Sequence, residues 1–204
     1  MLYKISNNAP LHEIEEHLHS KFDYDNLYKA TDHIDGRKEA SVCIVTADAP
    51  HRIQYGIWGI LPHGYKDSWK SFQSLYNTLE IAPASVSHTS WLYEPLKHRR
   101  CLIVATGFYT GEVENNIMQS YYTSIKDEHI FCFGGIYNIL EDGFISYSIL
   151  SHTSTHATSY LKHARPIIID KQHYTDFLNN YRPLESLCAS DDVLFTSKYN
   201  SIDI

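Results

Sequence analysis

The sequence predicts a single α+β domain with a mainly antiparallel, curved or barrel-like sheet flanked by short helices. Three observations lead there. The apolar run from Leu102 to Ala105 lies between Arg99-Arg100 and a Thr106-Gly107 pair able to turn, the profile of a buried strand. Residues 120–125, 129–137 and 144–150 repeat strand character with only short polar turns between them. Helical patterns are scattered among the strands without a regular βαβ alternation, which disfavours a parallel sheet. A length of 204 residues suits one large domain.

The elements follow in order. Residues 1–6 (MLYKIS) alternate apolar and polar and predict an opening strand, which Asn7-Asn8-Ala9-Pro10 breaks. In residues 11–22, Leu11, Ile14, Leu18 and Phe22 recur at helical spacing, with Glu13 near the start. Residues 23–38 have no period and read as loop. Residues 41–46 (SVCIVT) are a buried strand, ended by Asp48-Ala49-Pro50, and residues 52–60 resume strand character. Leu61-Pro62-His63-Gly64 turns the chain. Residues 65–79 place Trp69, Phe72 and Tyr76 on one helical face, and residues 91–97 lead into the central strand. Residues 112–119 form a polar hairpin tip. Residues 154–160 predict a short helix, 166–169 an extended piece and 172–179 another helix. The domain is expected over residues 1–183, with 184–204 as a C-terminal extension packed on it or partly flexible.

Composition narrows the function. Hydrophobic residues at 43% fill a real core, and 16 Tyr suit half-buried sheet faces. A net charge of -7 makes the chain a poor default binder of nucleic acid, because phosphate neutralisation supplies most of that affinity. No apolar stretch is long enough to span a bilayer, and residues 1–10 lack the apolar core of a secretory signal. The expected compartment is the cytoplasm. Cys43, Cys101, Cys132 and Cys188 form no C-x-x-C pair and read as small buried apolar residues. His152 and His156 have the i, i+4 spacing of a metal pair, but the carboxylate of a zinc-protease motif is missing. No metal or cofactor is expected.

Several blocks together resemble the SOS response-associated peptidase family of abasic-site processing proteins. Met1-Leu2-Tyr3-Lys4 is similar to its opening Met-Cys-Gly/Tyr-Arg/His segment. Trp58-Gly59-Ile60-Leu61-Pro62 resembles Trp-Gly-Leu-Ile-Pro. The stretch Arg99-Arg100-Cys101-Leu102-Ile103-Val104-Ala105-Thr106-Gly107-Phe108-Tyr109 resembles its Arg-Arg-Cys-Leu-Ile-Pro-Ala-Asp-Gly-Phe-Tyr block. Phe131-Cys132-Phe133-Gly134-Gly135-Ile136-Tyr137 resembles Phe-Ala-Phe-Ala-Gly-Leu-Trp, His163-Ala164-Arg165-Pro166 resembles His-Asp-Arg-Met-Pro one residue short, and the blocks come in the family's order. The resemblance implies an N-terminal Cys that closes a thiazolidine with the aldehyde of an abasic site in single-stranded DNA. An Asn, a Glu and a His move protons there, and Arg side chains hold phosphates.

Carried across, the reactive positions are largely substituted. The nucleophile's position is Leu2, which has no thiol. Glu80 stands where Asn is expected, Ala82 where a phosphate-binding Arg is expected, and Thr110 where the general acid–base Glu is expected. His163 is retained, with Arg165 beyond it and Lys4 at the N-terminal Arg position. The expectation is a non-catalytic homologue with a cleft for single-stranded DNA or another ligand. Lys4, Arg165 and Trp58 are its candidate contacts, although core packing is the commoner fate of Trp58. One alternative is an active protein whose Met1 amine forms a Schiff base with abasic DNA. Another is a protein-interaction module. The basic cluster Lys97-His98-Arg99-Arg100 is a further candidate contact, set against a solvated lead-in to the strand.

Overall fold

A computed structural model describes residues 2–114, 117–152 and 165–199 of the chain. It begins with β1 (Lys4–Asn7), α1 (Leu11–Leu18), β2 (Lys21–Phe22), β3 (Thr31–Asp35), β4 (Ser41–Thr46) and β5 (Ala49–Trp58). α2 (Trp69–Leu75), β6 (Glu80–Ile81), α3 (Tyr93–His98), β7 (Arg100–Ala105) and β8 (Gly107–Glu114) follow. The rest comprises β9 (Ile117–Ile125), β10 (Phe131–Ile139), β11 (Ile145–His152), β12 (Arg165–Pro166), β13 (Ile168–Ile169), α4 (Tyr174–Leu178) and β14 (Leu194–Tyr199).

β11, β10, β7, β4 and β5 pair antiparallel in that order, and β5 then meets β11 in parallel through Ile57 with Ser146 and Trp58 with Tyr147. The five strands therefore close into a barrel. β7 has a barrel strand on each side and buries both of its faces. Cys101, Ile103 and Ala105 enter one apolar cluster, while Leu102 and Val104 enter the other. That is why its sequence is an unbroken apolar run rather than an alternation. The second cluster lies under helices, with Ile14 of α1 and Phe177 and Leu178 of α4 closing it.

Past Thr106, β7 continues as β8 into a second sheet, ordered β14-β9-β8-β1-β3. The corner is pinned from β1. Ser6 O accepts the Thr106 N–H at 2.8 Å, and the two hydroxyls lie 3.0 Å apart. Ile5, Phe108 and Thr123 line the inward face of this sheet and are fully buried.

The structure departs from the sequence expectations in several places. The first helix ends at Leu18 because His19 turns left-handed (φ 51°), with its N–H on the Glu15 and Glu16 carbonyls. Lys21–Phe22 is instead a strand beside β5. Residues 23–38 contain strand β3 at a sheet edge, where Thr31, Asp32 and His33 are exposed on both faces, so it carries no hydrophobic period. Strand β14 lies in the tail and pairs with β9 at six positions, from Leu194 with Ile125 to Tyr199 with Ser120. α2 is shorter than residues 65–79, burying Trp69 and Phe72 but leaving Tyr76 exposed. The expected helix at 154–160 lies outside the described residues.

Candidate functional site

Leu2 precedes β1 and is only 1% exposed, its side chain belonging to the core cluster of the barrel. Its backbone N–H donates to Glu80 Oε2 at 3.0 Å. Glu80 is placed there by β6, which runs parallel to β11 with Glu80 opposite Ile149. The preceding carbonyl, Leu79 O, accepts from Trp58 Nε1 at 2.8 Å and from the Ile149 N–H at 3.2 Å. Trp58 thus fixes the segment that presents Glu80, a supporting role missed by sequence reasoning.

Trp58 itself was a candidate for stacking on a base, and the fold places it elsewhere. Its ring is 0% exposed and stacks on Tyr147 at 6.5 Å between centroids. No face is open to a base, so Trp58 as a nucleic-acid contact is corrected to core. Trp69 is buried as well and donates Nε1 to Trp58 O at 2.8 Å.

Thr110 lies on β8 opposite Tyr121, on the same inward face as Phe108 by strand alternation. Its Oγ1 is buried, with no hydrogen-bond partner among the described residues. A hydroxyl there cannot shuttle protons as a carboxylate would. Met1 and His163 lie outside the described residues.

The two cationic candidates do not converge. Lys4 pairs with Tyr109, holds its Nζ 5.8 Å from that ring's centroid, and points away from the face that carries Phe108. Arg165 stands opposite His152 between β12 and β11, and both line a cleft with Phe108, Ile168 and Ser190. One groove containing Lys4 and Arg165 together is therefore not what the fold provides.

The basic cluster before β7 is dispersed. Arg99 donates to Asn138, while Arg100 is 8% exposed with its guanidinium 5.1 Å from the Phe177 ring centroid. Lys97 lies over Tyr93, and His98 approaches Glu94 at 3.7 Å. Only its helical end faces solvent. No group of three His, Cys, Asp or Glu side chains able to hold a metal occurs among the described residues, and His156 lies outside them. All four cysteines are unpaired. Burial pushes the Cys43 and Cys132 thiols up to about 12 and Cys188 to about 11, so none is a ready nucleophile.

The family model described as SOS response associated peptidase (SRAP) matches residues 1–198. No curated protein matches the chain. Among solved structures, the chain is similar to a protein from Bacteroides thetaiotaomicron, with a TM-score of 0.83, 20% identity, and coverage of 98% of this chain and 92% of that one. It is similar to a protein from Bordetella bronchiseptica at a TM-score of 0.77 and 13% identity, covering 97% and 99% of the two chains. A phage-related protein from Bordetella bronchiseptica gives 0.72 and 12%, covering 98% and 94%. At these identities the structural likeness speaks for the fold, and the family match speaks for membership.

Proposed function

The chain belongs to the SOS response associated peptidase family, and from that premise we propose that it is a member that holds single-stranded DNA without crosslinking to it. The observation that carries this reading is Leu2. Its side chain is 1% exposed in an apolar cluster and its amide is clamped by Glu80, so position 2 serves as core. A hydrocarbon side chain has no lone pair with which to attack an aldehyde. The acid–base position is Thr110, whose hydroxyl does not titrate usefully near neutral pH. The non-covalent contact falls to the cleft beside Arg165 and His152, where the Arg165 guanidinium brings a positive charge to phosphate. Four unpaired cysteines fit the reducing cytoplasm.

The test is incubation with single-stranded DNA carrying an abasic site, followed by denaturing electrophoresis. No adduct is expected, whereas Arg165→Ala should weaken binding measured by fluorescence anisotropy. An adduct that survives denaturation overturns the reading. A link that appears only with borohydride reassigns the activity to an amine, as in a Schiff base from Met1.

A protein-interaction module is the second reading. Leu75, Tyr76 and Trp91, at 77%, 65% and 39% exposure, form the observation that favours it. Salt-independent DNA binding beside a stoichiometric protein partner would select it.

A further inference from the structure

We propose that two copies of this chain associate through the open edge of β14, the two strands pairing antiparallel about a two-fold axis at Phe195. β14 ends the second sheet. It pairs with β9 on one side, and no described strand lies beyond it on the other.

The other sheet ends are protected against such pairing. β3, at the far end of the same sheet, carries Asp32 and Asp35. β2 and β12 end the barrel sheet with two residues each, and β12 contains Pro166. Charge, proline and shortness are the devices that stop an edge from adding a strand. β14 runs for six residues, from Leu194 to Tyr199, with no proline and no carboxylate among them.

The backbone shows which groups face the open edge. The Lys126 N–H donates to Val193 O at 2.7 Å, so position 193 bonds toward β9. Backbone direction alternates along a strand, and Leu194 and Thr196 therefore turn their N–H and C=O groups outward. A two-fold at Phe195 sets Leu194 of each copy opposite Thr196 of the other, and each such pair exchanges both of its N–H···O bonds. The strand is held ready for this, because the Thr196 and Thr123 hydroxyls lie 2.9 Å apart on the inward face.

Phe195 lies opposite Ser124, on the outer face with Tyr122, and is 60% exposed. On the axis it meets its own copy at a non-hydrogen-bonded position, where Cα atoms approach to about 4.5 Å and side chains pack closest. Two exposed rings thereby cover each other.

Charge selects a second copy and fixes the register. In the sequence, Asp192 stands three residues before Phe195 and Lys198 three residues after it. An antiparallel two-fold at Phe195 sets position 192 against position 198, acid to base, at both ends. A parallel pairing would set acid to acid and base to base. Moving the axis to Thr196 loses the match, because position 192 then faces a neutral residue.

The test is sedimentation velocity of the full chain over a concentration series, where a monomer–dimer equilibrium is expected. Phe195→Lys places like charges on the axis at an exposed site. It should weaken association about tenfold and leave the thermal unfolding of the dilute protein unchanged. Asp192→Lys and Lys198→Asp should each weaken association about fivefold, the worth of two exposed ion pairs, and the double exchange should restore it. A chain that stays monomeric, whether or not an extended peptide adds to β14, would overturn the proposal. So would a dimer indifferent to Phe195→Lys, or a double exchange no better than the single variants. None of these outcomes depends on DNA binding.

Discussion

Glu80 Oε2 accepts the backbone N–H of Leu2 at 3.0 Å, joining two residues 78 positions apart in the sequence. The bond ties the start of the chain to the short strand beside β11. In the family pattern position 2 supplies a nucleophile; here its side chain fills the barrel core and its amide is strapped in place.

That bond has a measurable worth. Glu80→Ala removes the acceptor and leaves the Leu2 N–H buried, which should cost about 1–3 kcal/mol in urea unfolding. Glu80→Gln keeps a carbonyl oxygen at the same reach and should cost less than half as much. Equal losses for the two variants would mean that the bond contributes nothing.

Thr110 makes the opposite prediction. Its Oγ1 is buried with no hydrogen-bond partner among the described residues, so its desolvation is not offset by a bond. Thr110→Val keeps the shape and removes the hydroxyl. It should be neutral or stabilising by up to about 1 kcal/mol, visible as a raised unfolding midpoint. A clear destabilisation would reveal a hydrogen bond at that oxygen.

What the sequence made legible follows from where residues face. β7 was readable because both faces of the strand are buried, which leaves an unbroken apolar run. β3 and β14 were not, since edge strands with polar faces carry no hydrophobic period. The separation of Lys4 from Arg165 was equally hidden. It depends on which face of the five-stranded sheet Lys4 takes, set by its register with Tyr109, and on β12 pairing with β11 of the barrel instead of joining that sheet.

His17 should give the stability a pH dependence. Burial first, then the positive charges of Lys171 and His19, bring its pKa down to about 4, while an unfolded histidine titrates near 6.5. Between these values the unfolded chain binds more protons, so stability rises with pH across the window and is lost as pH falls from about 6.5 to about 4. Because the imidazole is partly solvated, the loss should be about 1 kcal/mol rather than the full amount the shift implies. His17→Gln should flatten the unfolding midpoint over that range; an unchanged slope would assign the dependence to other groups.

The tightest point of the barrel offers the sharpest test of its closure. Gly135 of β10 lies between Cys101 of β7 and Ile149 of β11. A Cβ placed on it would stand 2.3 Å from Ile103 Cδ1 and 2.6 Å from the backbone oxygen of Ser148. A carbonyl within a paired strand cannot move without breaking the ladder, so Gly135→Ala should cost about 3 kcal/mol by overpacking. At neighbouring Gly134 the nearest atoms are the side-chain ends Ile169 Cδ1 at 2.9 Å and Phe177 Cζ at 3.0 Å. Those ends can shift by a few tenths of an ångström, so Gly134→Ala should cost about 1 kcal/mol. Denaturant unfolding of the two variants under one set of conditions decides the matter. If Gly134→Ala proved the worse, the barrel seam at Gly135 would be looser than the strand registers require.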